Sequence, residues 1–202
     1  MIARTVMVGL LALAAGCGRT GASEAAPQRQ GPIHSTLGFA FRPPPGEDWT
    51  EEFGKNEVMY TKKTDPDTVS FFVGALDIRF DSPLPDKQAL AEFVRQKKDQ
   101  WGTDGRYTDV SSSFLPEAAQ PSCVRYRMTV NDHGAHNRKS RDFLLLRVIG
   151  RFCAHPQNPK VAVDIFYSAR HIPGYDARQL GAEGEQFLDS LAFDTLPGSS
   201  GP

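Results

Sequence analysis

Cysteine is scarce in this chain of 202 residues: there are three, at positions 17, 123 and 153. So few exclude a disulfide-dense scaffold, and none lies in a C-x-x-C pair, which argues against a zinc site. Neither sign of charge is in excess, with 23 Lys and Arg against 24 Asp and Glu. That balance removes any global pull towards nucleic acid or anionic lipid. The apolar run 6–15 is about ten residues, half of the roughly 20 that a membrane-spanning helix needs. The signatures of common catalytic sites are missing too: G-x-S-x-G, a phosphate-binding glycine loop, H-E-x-x-H and G-x-G-x-x-G. What remains is an ordinary globular composition, 40% hydrophobic and 23% charged. No internal repeat is visible.

The first seventeen residues carry an address. Arg4 precedes the apolar run, and small residues follow it, as in a secretory signal peptide. The segment Leu13-Ala14-Ala15-Gly16-Cys17 resembles a bacterial lipobox. The resemblance implies cleavage of residues 1–16 and acylation of Cys17, by palmitate among other chains. Each buried CH₂ is worth about 0.8 kcal/mol, and more than one chain anchors stably. Ala14 stands where a larger aliphatic residue is usual. Gly18 occupies the position where Asp retains such lipoproteins at the inner membrane, so the outer membrane is favoured, with the domain in the periplasm. Removal of the signal leaves about 186 residues, a one-domain length. Residues 17–36 are Gly, Ala, Pro and polar, and read as a tether of roughly 24 Å reach.

With Cys17 lipidated, Cys123 and Cys153 form an even pair in an oxidising compartment, which reads first as a disulfide. Free thiols or a metal site are the alternatives. Val124, Tyr126, Met128 and Val130 alternate after Cys123, and Leu144, Leu146, Val148 and Phe152 alternate before Cys153. If the two strands pair antiparallel with the cysteines opposite, both apolar sets share one face and both cysteines the other. A one-residue slip destroys that agreement.

Further strands are expected around 38–42, 57–62, 69–80, 107–115 and 161–167. The strand 69–80 is apolar on both faces, which implies cover on both. A helix over 86–101 has Asp86 as its cap and a stripe of Leu90, Phe93, Val94 and Trp101, with Lys97 and Lys98 on a solvated face. A second helix spans about 176–191, weakened by Gly181 and Gly184. The domain thus runs over 37–196, with a disordered tail at 197–202. The order of elements predicts an α+β fold, a largely antiparallel sheet packed with helices.

The opening Gly38-Phe39-Ala40-Phe41, followed by Pro45-Gly46 and Trp49, resembles the "GF-x-F…P-x-G-W" start of PsbP-like domains, which include envelope lipoproteins of the DcrB type. The resemblance implies a PsbP-like sandwich and a binding or assembly role without common catalytic residues. No site residue carries over from it.

Three constellations remain. In the register above, Arg125, Arg127, Arg147 and Arg151 share the cysteine face, with Asp164 on the next strand placed to relieve one of them and Arg138, Lys139 and Arg141 nearby. This face either binds an acidic partner, phosphate or carboxylate, or is a set of arginines lying over helices in local ion pairs. Asp132, His133 and His136 lie in one hairpin segment, either a metal site or a solvated loop. Ser168 has no recognisable base, and His155 and His171 read as surface or turn residues. The expected function is non-catalytic, without cofactor or nucleic acid: an envelope lipoprotein that binds an envelope protein or a secreted toxin as an assembly, accessory or immunity factor. The alternative is a small-ligand or metal-binding envelope protein.

Overall fold

The computed structural model describes residues 31–65, 69–84, 86–103, 105–120, 122–135, 143–175 and 179–196. Residues 1–30 and 197–202 lie outside them, and with them the expected signal peptide, the lipidation site at Cys17 and the expected tail. Among the described residues no helix is long and apolar enough to cross a membrane.

The fold is α+β and dominated by strands. Seven strands form one antiparallel sheet: β3 (Thr50–Phe53), β4 (Glu57–Asp65), β5 (Val69–Arg79), β6 (Tyr107–Pro116), β7 (Cys123–Asp132), β8 (Leu144–His155) and β9 (Asn158–His171). Their spatial order is β3-β4-β5-β9-β8-β7-β6. A second, three-stranded sheet joins β1 (Ile33–His34) and β10 (Ala192–Phe193) to opposite edges of β2 (Phe39–Phe41). Two helices, α1 (Lys87–Asp99) and α2 (Gln179–Asp189), complete the layers.

The expected pairing of the cysteine strands is present. Cys123 lies opposite Cys153, Arg125 opposite Arg151 and Met128 opposite Val148, and the two sulfurs are bonded. One face of the large sheet, the cysteine face, therefore carries Cys123, Cys153, Val163, Ile165 and Tyr167. It packs against β2 and the α2 residues Phe187 and Leu188. The other face carries Val124, Tyr126, Met128, Val148 and Phe152 and packs against Leu90 and Val94 of α1. Period-two alternation separates the two cores because successive side chains of a strand point to opposite faces.

The Asp86 side chain caps α1, accepting from the Ala89 amide at 2.8 Å. Lys97 and Lys98 fall in the last turn, where cations favour the helix dipole. In α2, Gly184 is buried, and a Cβ there would strike Ile149 and Tyr167. The glycine that weakens the helix locally lets it approach the sheet closely.

Several expectations are corrected. Ile33 and His34, assigned to the tether, pair with β2, and Ile33 is buried; the folded region therefore begins before residue 37. The edge strand β3 and the short β10 were not anticipated. Most consequentially, β5 is not covered on both faces. Phe71, Val73 and Ala75 belong to the core of the cysteine face, but Phe72 on the other face is 44% exposed. The cause is the placement of α1, which packs over β6 and β7, touches β9 only towards Ala162 and Asp164 and leaves the Phe72 end of the β4, β5 and β9 surface uncovered by it.

Candidate functional site

The four arginines of the cysteine face are brought together only in part, and acidic groups meet three of them. Arg125 donates from Nε to Glu117 at 3.1 Å and from Nη2 to Asp189 at 2.6 Å, and also pairs with Glu185. Arg127 reaches Glu185 at 2.7 Å. Arg151 is buried and bonds Glu117 at 2.7 Å and Gln120 at 2.5 Å. Burial opposes the charge on Arg125, but the carboxylates outweigh it and raise its pKa. Glu185 and Asp189 come from α2, so this face is the anchorage of a helix. Arg147 stands apart, exposed and opposite Thr129 and Ala169. Arg138, Lys139 and Arg141 lie outside the described residues. Asp164 does not relieve any of these arginines. It is opposite Phe152, which places it on the other face.

The hairpin segment is likewise committed. Asp132 is fully buried and binds Arg106 through both oxygens, at 2.8 and 3.1 Å, and Arg170 at 2.8 Å. Burial alone would raise its pKa; the Arg106 hydrogen bonds and the two guanidinium charges hold it below the ordinary value. His133 Nε2 lies 2.9 Å from the Thr108 hydroxyl, and His136 is outside the described residues. Among those described, no group of three His, Cys, Asp or Glu is placed to hold a metal ion. Ser168 donates its hydroxyl to the Phe72 carbonyl at 2.5 Å, so that oxygen serves the backbone. His155 and His171 are not surface residues. Both are 1% exposed; His155 stacks edge-on against Phe39 and Phe193, and burial lowers the pKa of His171.

The feature with the geometry of a site is the uncovered half of the other sheet face. There β4, β5 and β9 form the floor of a groove of about 740 Å³, walled by Lys98 at the end of α1, Trp101 and Arg106 in the connection that follows, and Tyr107 at the start of β6. Ligand sites fall at roughly 300–1,000 Å³. Phe72 and Phe166 lie side by side in it, ring centroids 5.8 Å apart, and Met59 and Leu76 extend the apolar floor. Trp101 stacks on Tyr107 at 5.5 Å, and the Arg106 guanidinium lies 4.9 Å from the Tyr107 ring.

A buried polar cluster closes the inner wall. Lys98 Nζ lies 2.6 Å from Asp164 Oδ2, and Tyr126 donates to Asp164 Oδ1 at 2.7 Å. Burial, then the charge of Asp164, pushes the Tyr126 phenol far above its ordinary pKa, so it stays protonated as a donor. The ammonium also sits 4.5 Å from the Tyr126 ring. Gly150 makes this possible: it lies between Tyr126 and Phe166 in adjacent strands, and a Cβ there would overlap the Tyr126 ring. The phenol thus crosses β8 to reach β9.

Sequence reasoning missed this cluster, although a signal existed. Lys98 follows Leu90 and Val94 at four-residue steps and precedes Trp101 by three, which puts it on the apolar stripe of α1. Asp164 alternates with Ala162 and Phe166 in the same way. No family model matches the chain, and the search of curated proteins finds no relative.

Proposed function

We propose that this chain is a lipid-anchored, non-catalytic binding protein of the bacterial cell envelope, held through acylated Cys17 at the outer membrane, with its ligand in the groove over β4, β5 and β9. The observation that carries the reading is the half-covered sheet. A strand whose sequence is apolar on both faces leaves Phe72 open to solvent in a concave site of ligand size. A small ligand is favoured over a protein docked on the arginine face, because Glu117, Glu185 and Asp189 already neutralise Arg125 and Arg127. The commitment of Ser168 to the backbone agrees with binding rather than hydrolysis.

A PsbP-like domain of the DcrB type remains the family reading. Its support is that the opening residues are structural: Phe39, Phe41 and Trp49 are buried, and Gly38 has φ 85° with His155 and Leu196 where its Cβ would be. The left-handed conformation favours glycine at that position.

Fluorescence of the neutral apolar dye Nile red tests the groove. The folded protein should bind it with a blue-shifted emission, and Phe72→Glu should abolish the signal without unfolding the domain, since Phe72 is half exposed. Equal binding by the variant, or none by the parent, removes the groove as the site. Metabolic labelling with palmitate tests the anchor: Cys17→Ser should lose both label and membrane association, and retention of the label would overturn lipidation at that residue.

A further inference from the structure

The groove changes character along its length. Strand register places Lys63, Ser70 and Arg170 in one cross-strand row on the groove face. Four residues along β9 from Arg170, a distance of about 13 Å, Phe166 meets Phe72 over Met59. Six residues along, about 20 Å from the first row, Glu57, Leu76 and Asp164 form the opposite end. One end is therefore cationic, the middle apolar and the far end acidic.

The two ends differ in what their charges already hold. At the far end Asp164 is matched by Lys98 and Tyr126, while Glu57 adds a negative charge to the lining. At the first end Arg170 and Arg106 both reach Asp132. Lys63 is exposed beside them. Lys63 and Arg170 stand two strands apart, about 10 Å between Cα atoms; Arg170 turns to Asp132 on β7, away from Lys63, so the exposed Lys63 ammonium is the group at this end that meets an incoming anion. Among the described residues, Lys63, Lys98, Arg106 and Arg170 line the groove with Glu57 and Asp164, while Lys62 points to the cysteine face, over Trp49.

Resting on the groove as the binding site, we infer that its ligand is a single-headed anionic amphiphile. Its acidic head, a carboxylate in the simplest case, sits at the Lys63–Arg170 row, and its apolar chain runs over Phe72 and Phe166. A second acidic head at the far end is disfavoured by Glu57, and a cationic head is repelled at the first. Charge complementarity sets the orientation, and the apolar floor supplies the burial.

Displacement of bound Nile red by palmitic acid, hexadecanol and hexadecylamine, each below its aggregation limit, tests the inference. Palmitate should displace the dye at about tenfold or more lower concentration than the alcohol, with the amine weakest. Lys63→Glu should erase the advantage of palmitate, read as the ratio of palmitate to hexadecanol potency within the variant, so that any change in dye affinity cancels; Arg170 also holds Asp132 and is a poorer choice. Equal potency of acid and alcohol, or an unchanged preference in Lys63→Glu, overturns the assignment of the head while the dye signal keeps the groove. Failure of the dye to bind the parent protein overturns both.

Discussion

Replacing Lys98 by methionine removes an ammonium but keeps most of the aliphatic stem that packs near Trp101 and Tyr126. Asp164, with its side chain 10% exposed, then keeps the Tyr126 hydrogen bond but loses its counter-charge. Breaking one side of a buried ion pair costs about 3–5 kcal/mol. The cluster borders the groove, where some solvent reaches it, so the lower end applies, about 3 kcal/mol. The reverse change, Asp164→Leu, strands Lys98, whose long side chain can turn its head towards the groove, and leaves the buried Tyr126 hydroxyl without its acceptor; about 4 kcal/mol is expected, roughly half from each. The double variant removes both charges, leaves the Tyr126 hydroxyl unpaired and should lie about 3 kcal/mol below the parent. The coupling between the sites is then about 4 kcal/mol. Urea unfolding with the disulfide intact measures all four proteins, provided the slope m is constant. Additive single-variant costs would refute the reasoning, since they would mean that the ammonium and carboxylate are solvated independently.

Three further outcomes follow from the same geometry. Gly150→Ala, which in an ordinary strand is stabilising by about 0.5–1 kcal/mol, should instead be destabilising by about 2 kcal/mol or more, because the new methyl overlaps the Tyr126 ring; a rise in melting temperature would contradict it. Arg125→Glu should cost about 2–3 kcal/mol by setting a carboxylate against Glu117, Glu185 and Asp189, whereas a surface docking arginine would change within about 0.5 kcal/mol. Asp132 has its folded pKa below the ordinary 3.8, so its contribution is fully present above about pH 4 and is lost as pH falls through the depressed value. The stability gap between the parent and Asp132→Asn should accordingly narrow as the pH falls below about 4 in a series of urea titrations; a gap independent of pH would show that the carboxylate is not held by Arg106 and Arg170.

Much of the fold was legible because two periodicities encode it locally. The alternation after Cys123 and before Cys153 admits one register, and the structure has that register together with the disulfide. Asp86 marks the start of α1, as a short acceptor side chain before an apolar stripe should. The candidate site was far less legible. Four arginines on one face looked like a binding surface, but Glu185 and Asp189, which meet Arg125 and Arg127, arrive from α2, some 60 residues later in the chain, and Arg151 is met by Glu117 from 34 residues before it. Lys98 beside Lys97 looked like part of a solvated face, yet it lies on the stripe and meets Asp164 across 66 residues. His155 looked isolated because its ring neighbours Phe39 and Phe193 come from other elements.

By itself the sequence determined which residues share a face. Side-chain direction repeats every two residues in a strand and about every 3.6 in a helix, so membership of a face depends on spacing alone. It determined the antiparallel class of the sheet and the cysteine pairing through the same rule. The tertiary structure decided what lies over each face. It set α1 over β6 and β7, α2 and the small sheet over the cysteines, and nothing from either helix over Phe72. Those choices depend on loop paths and on the balance of packing between distant elements, which no local spacing records. The groove, with its cationic and acidic ends, is the product of that arrangement.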